Sequence, residues 1–192
     1  MEAISIKSLI DVNLKDKEDI KILICYIFTK LEIRLTKDMI IYCLQNSGIA
    51  NFFNINGAFS ELLENEILKI DSKNVISMSE KGFLIYESLG ESLSQNIKDR
   101  AINAILDYVK MLKNISENNV LIEKLDPGYS IKCSISGGDF DLMSLSVFAP
   151  DIESAITIKK NFYKNLEDIY STVLSKLIVD YKHNDENSCF II

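Results

Sequence analysis

The chain has 192 residues, a formal net charge of −7, 47% hydrophobic and 26% charged side chains, two prolines and seven glycines. That balance belongs to a globular protein of one ordinary domain or two small ones, and it excludes the disordered and collagenous classes. The negative charge argues against the chain as a whole gathering nucleic acid or anionic lipid, and no apolar stretch reaches the roughly 18 to 20 residues of a spanning helix.

The start, MEAISIKSLIDVNLKDKEDIK, lacks the charged-then-apolar plan of a signal peptide, so the expected location is the cytoplasm. Cysteines stand at 25, 43, 133 and 189, no two closer than 18 positions, which leaves no CxxC motif. Cys25 and Cys43 fall inside helical apolar patterns and read as small core hydrophobes. His183 is the only histidine and sits in the polar stretch YKHNDENS, which removes histidine metal clusters and Ser-His-Asp chemistry together. No glycine-rich phosphate loop, nucleophile elbow or paired-acid motif is present. The expectation is a protein without catalytic residues, metal or cofactor.

In chain order, Lys17 to Leu31 carries apolar residues at Ile20, Leu23, Ile24, Ile27, Phe28 and Leu31, the spacing of a helix, with Asp16 as cap. Ile22, Cys25 and Tyr26 add a second apolar stripe, which calls for burial on two sides. Thr36 caps a second helix with Ile40, Cys43 and Leu44 inward, stopped by Asn46-Ser47-Gly48. After the connector IANFFN, a third helix turns Ile55, Ala58, Phe59, Leu62 and Leu63 inward with Asn54 as its cap. Ile67, Leu68 and Ile70, the turn Asp71-Ser72-Lys73-Asn74, and Val75, Ile76 and Met78 read as a hairpin. Ser79 caps the helix that follows, and Gly82 sits where a side chain would obstruct packing. That pattern breaks at Gly90 and resumes from Leu93 to about Asn114.

The remainder changes character. Val120 to Leu125 reads as a strand, Asp126-Pro127-Gly128 as a turn, and Tyr129, Ile131, Cys133 and Ile135 alternate with polar residues. Gly137-Gly138-Asp139 leads into Met143, Leu145 and Val147, so one face of the meander is oily and the other carries Ser130, Ser134, Ser144 and Ser146. From Pro150, apolar periodicity from Ile152 to Leu177 predicts one long helix of about 28 residues, about 40 Å at 1.5 Å per residue. The fold class is α+β: a winged helix over residues 1–90, a linker or packing helix over 91–118, and an antiparallel sheet covered by a long helix over 119–192.

The segment from Asp19 to Leu89 resembles the winged helix-turn-helix domains of bacterial transcriptional regulators. The likeness rests on Leu35-Thr36 opening the second helix, on Phe59-Ser60-Glu61-Leu62-Leu63 with Glu66-Ile67-Leu68, and on Ile76-Ser77-Met78-Ser79-Glu80-Lys81-Gly82 after the wing. Over its whole length the chain is similar to a clostridial family of winged-helix proteins called domain of unknown function 4364. The regulator resemblance implies double-stranded DNA as partner, with the third helix in the major groove and the wing on phosphates. It implies contacts from Arg34, Lys37, Asn56, Ser60, Lys73 and Asn74, with Ser79 and Gly82 holding the wing exit.

Against that expectation, the exposed face of the third helix offers Asn56, Gly57, Ser60, Glu61 and Glu64, with no cation, and residues 1–90 carry ten Lys and Arg against thirteen Asp and Glu. A non-catalytic protein-contact module is therefore the alternative. Asp139 and Asp141 read as turn residues rather than cation ligands, and the serine face as a solvated sheet. The ending Cys189-Phe190-Ile191-Ile192 fits a prenylation box in form only, and a docking tail end is the better reading. Wide apolar faces on the first helix, on Leu93 to Leu112 and on Ile152 to Leu177 predict a homodimer through one of them.

Overall fold

A computed structural model describes residues 14–178; His183 and the ending from Cys189 to Ile192 lie outside them. The chain divides at Lys110 and Met111 into two compact units. The first holds α1 (Lys17–Lys30), α2 (Lys37–Asn46), α3 (Phe52–Glu64), the hairpin β1 (Leu68–Ile70) and β2 (Ile76–Met78), α4 (Glu80–Leu89) and a short 3-10 turn at Gly90–Ser92. Helix α5 (Gln95–Glu117) carries the chain across the division, and the second unit continues with β3 (Asn119–Lys124), β4 (Tyr129–Ser136), β5 (Asp141–Ala149), α6 (Ile152–Lys164) and α7 (Leu166–Ile178).

In the first unit α1 is the central element. The Asp16 carboxylate caps it, accepting from the Glu18 N–H at 3.0 Å, and acidic residues fill its first turn where the helix dipole favours them. Every residue from Ile22 to Ile27 is buried, as is Ile20. The second stripe calls for cover on a second side, and this chain supplies it. Helices α3 and α4 and the hairpin close on α1 from within the same unit, and Leu93, Ile97, Ala101 and Ile105 of the following segment join its core. Tyr26 meets the Tyr86 ring at 5.2 Å, and the ammonium of buried Lys98 lies 5.5 and 5.7 Å from the two ring centroids. A cation held by two ring faces satisfies a lysine that burial would otherwise penalise.

Helix α2 starts as its sequence predicts, with the Thr36 hydroxyl accepting from the Met39 N–H at 3.3 Å. At its other end Arg100 donates to the Ser47 carbonyl at 2.6 Å, placing a cation at the negative end of the helix. Helix α3 begins three residues earlier than expected. Asn51 rather than Asn54 is its cap, its side chain accepting from the Asn54 N–H at 2.9 Å. The hairpin is tied to the segment before α2: Ile76 N–H donates to the Leu35 carbonyl at 2.9 Å, and Thr36 bridges Val75. Three helices followed by a hairpin make this a winged helix.

Ser79 occupies the cap position of α4 without capping it. Its hydroxyl donates to the Ile67 carbonyl at 3.0 Å and its N–H to the same oxygen at 2.8 Å, so it fastens the base of the wing instead. Gly82 is buried as expected; a Cβ there would press on Met78 Cγ and stand 2.6 Å from Met78 Sδ and 3.2 Å from Ile67 Cγ2.

In the second unit β3, β4 and β5 form an antiparallel sheet in that order. Ile131, Cys133 and Ile135 of β4 are buried together with Val120, Ala149, Ala155, Phe162 and Tyr163. The opposite face joins Ser134 to its ladder partner Ser144 at 3.4 Å and Ser130 to the diagonal Ser146 at 3.1 Å. The single long helix expected at the end is two. Asn165 ends α6, its N–H and side-chain amide both donating to the Asn161 carbonyl at 2.9 and 3.1 Å. The buried Asn114 amide takes the Tyr163 carbonyl at 2.8 Å, an acceptor that an unbroken helix would use itself. Asp151, following Pro150, caps α6 by accepting from the Ser154 N–H at 2.7 Å.

Burial pushes the Cys25 and Cys43 thiols up to about 11, which keeps them protonated and inert at neutral pH. Replacing Gly82 with Val is expected to lower stability by about 1–3 kcal/mol, the usual range for overpacking; an unchanged denaturation midpoint would show that the wing exit has room.

Candidate nucleic-acid interface

The earlier start of α3 decides what its outer face contains. At 100° per residue, Phe53, Ser60 and Glu64 fall on one line, with Asn56 to one side and Gly57 to the other. Phe53, placed in a connector by its sequence context, is 82% exposed and meets half-exposed Phe52 edge to face at 5.8 Å between centroids. It is the residue of this face that sequence reasoning missed. The signal available was Asn51 three residues before Asn54, the spacing of a cap and its N–H partner.

Glu61 belongs to that face in the sequence but is engaged in the structure. Lys21 of α1 reaches one carboxylate oxygen at 2.8 Å and Lys17 the other at 3.3 Å, and Lys21 also pairs with Glu18. Lys17 crosses α3 at Gly57, where a Cβ would stand 3.0 Å from Lys17 Cε, so the lysine stem lies close over the backbone of α3. Hydrogen bonds from Lys21 and then Lys17 hold the Glu61 carboxyl below its ordinary value, while the bond to Glu18, then that to Glu61, raises Lys21. No feature of α3 itself announces this clamp, which joins residues some forty positions apart.

Of the other expected contact residues, Asn56 is half-buried and its amide donates to the Phe52 carbonyl at 3.2 Å; Ser60 is exposed. Lys37 sits in the first turn of α2 with its ammonium 5.7 Å from the centroid of the buried Phe59 ring. Arg34 is exposed in the segment between α1 and α2. In the wing, Asp71 shapes the loop by accepting from the N–H groups of Lys73 and Val75 at 2.8 and 2.9 Å, and Asn74 takes the left-handed conformation with φ 61°. Lys73 and Asn74 are thereby exposed at the wing tip. Arg34, Lys69 and Lys73 make no ion pair among the described residues. The structure therefore brings Asn56 and Ser60 onto one helix face with Phe53, and Lys73 and Asn74 onto one loop.

A match over residues 20–177 identifies the family. The chain belongs to DUF4364, a domain of unknown function. No curated protein and no solved structure matches it. This DUF4364 chain has no described helix long and apolar enough to cross a membrane. Among its described residues no three His, Cys, Asp or Glu side chains converge as metal ligands, and Asp139 and Asp141 stand in the turn before β5 and at its first position.

The Glu61 clamp sets a pH dependence. A carboxyl lowered on folding contributes stability above its unfolded value of 4.5, and that contribution is lost as pH falls through the lower folded value. Glu61→Gln is expected to be less stable at pH 7 and to show a shallower decline below pH 4.5 than the parent. Superimposable stability curves would mean that the clamp contributes nothing.

Proposed function

We propose that this DUF4364 protein is a DNA-binding transcriptional regulator that works as a homodimer, with the second unit serving dimerisation or sensing. The Glu61 clamp carries this reading. Two lysines of α1 neutralise the acid at the edge of the α3 face that borders α1, leaving Phe53, Asn56 and Ser60 beside Glu64 as the surface offered to a major groove. Asn56 suits an adenine edge once its exposed bond to Phe52 is replaced, Ser60 a base or phosphate, and Phe53 a thymine methyl. Lys73 at the wing tip and Arg34 ahead of α2 suit phosphates, with Lys37 in support. Two copies would present two such faces to half-sites about one helical turn apart.

A second reading, a non-catalytic protein-contact module, is favoured by one observation: α3 has no Lys or Arg and opens with an exposed aromatic pair. Selection of duplex DNA by the purified protein at about 50 mM salt separates the two readings. The regulator reading expects an enriched sequence and roughly two to four phosphate contacts per subunit, from a log–log salt slope near −0.9 for each. Lys73→Glu should weaken binding to all sequences alike, while Asn56→Ala should flatten the preference between them by about 1–3 kcal/mol. No enriched sequence, together with no loss on Lys73→Glu, would transfer the case to the contact module.

A further inference from the structure

The sheet of the second unit has two unlike edges. On one side β3 ends in Glu123 and Lys124, and Glu123 is paired with Lys132 at 2.9 Å, the kind of charge that discourages edge-to-edge pairing. On the other side β5, among the described residues, has a ladder partner only in β4, and from Leu142 to Ala149 it holds neither a charge nor a proline. An uncharged strand of this length, with one row of backbone groups unpaired, is a template for another strand. Its side chains are open as well: Leu142 and Phe148 are 46% and 56% exposed, and Val147 remains 38% exposed although it points to the same face as buried Cys133 and Ile135.

We infer that β5 is a dimerisation edge, pairing antiparallel with β5 of a second copy about a two-fold axis through Leu145 to give a continuous six-stranded sheet. The register argues for a second copy rather than for an unrelated strand, because β5 is complementary to itself about that centre. Leu142 then faces Phe148 of the partner subunit on the outer side, and Met143 faces Val147 of the partner subunit on the side covered by α6. Ser144 faces Ser146 of the partner subunit, repeating the hydroxyl pairs that β4 and β5 already make. Moving the axis to Ser144 or to Ser146 sets Leu142 or Phe148 against a serine instead. Cross-strand apolar pairs and hydroxyl pairs each favour the Leu145 register. Helix α6 covers β4 and β5 on the Met143 and Val147 side.

This inference rests on the two-copy part of the proposal above and is independent of DNA binding. Light scattering on the full chain at micromolar concentration tests the two-copy state, and a pair of charge variants tests the edge. Ser144 and Ser146 are exposed in the single chain, and circular dichroism melting checks that each variant folds. Ser144→Lys with Ser146→Lys sets like charges opposite each other across the axis, and the mass is expected to halve. Ser144→Lys with Ser146→Glu sets opposite charges there, and the mass is expected to stay that of two chains. A monomeric parent overturns the two-copy state and the edge together. A doubly lysine-substituted variant that remains a dimer places the interface elsewhere and overturns the edge alone. Loss of the dimer in both folded variants overturns the antiparallel register about Leu145.

Discussion

The enclosure of α1 is the constraint on which the first unit depends. A helix whose residues from Ile22 to Ile27 are all buried has no free side, so each neighbour must be positioned against it before the core closes. Helices α3 and α4 and the hairpin do so, and Lys98 seals the remaining approach between Tyr26 and Tyr86 with a cation that both rings can hold. At about 1.5–3 kcal/mol for each large apolar side chain fully buried, α1 outweighs any cap or surface ion pair in the unit.

The same enclosure shapes the outer face of α3. Because α3 packs directly on α1, the exposed end of α1 lies beside the outer face of α3, and Lys17 and Lys21 come within reach of Glu61. Lys17 passes over α3 at Gly57. The charge of a helix face is therefore a property of the packed pair and not of the helix sequence. An acidic count over the domain, taken alone, understates what α3 can approach.

Much of this was legible in the sequence because it depends on local chemistry. Asp16 and Thr36 cap where their position before apolar periodicity says they should, the alternation of β4 predicts its buried face, and Gly82 marks a close approach. What could not be read depends on residues far away in the chain. Two asparagines three apart could each cap α3; the apolar Phe52 and Phe53 between them read as connector, and Asn51 proved to be the cap. Ser79 is drawn from its cap by the Ile67 carbonyl, twelve residues back, and Asn114 stops the last long helix from a distance of 49 residues. The second stripe of α1 calls for cover on two sides, but the elements that supply it, α4 and the residues from Leu93 to Ile105 among them, meet it only through packing.

The two units thus differ in what they expose: one builds a charge-adjusted helix face and a wing, and the other an uncharged sheet edge, which the proposal above assigns to a second copy. The division requires that α1 be sealed by its own chain, leaving association to other surfaces. Native-state hydrogen exchange of the α1 amides, followed as the protein is diluted through the range where any dimer separates, tests that requirement most directly. The amides from Leu23 to Ile27 are expected to be among the slowest in the chain, with protection that does not change on dilution. Protection that falls as copies separate would show instead that α1 is completed by a second chain.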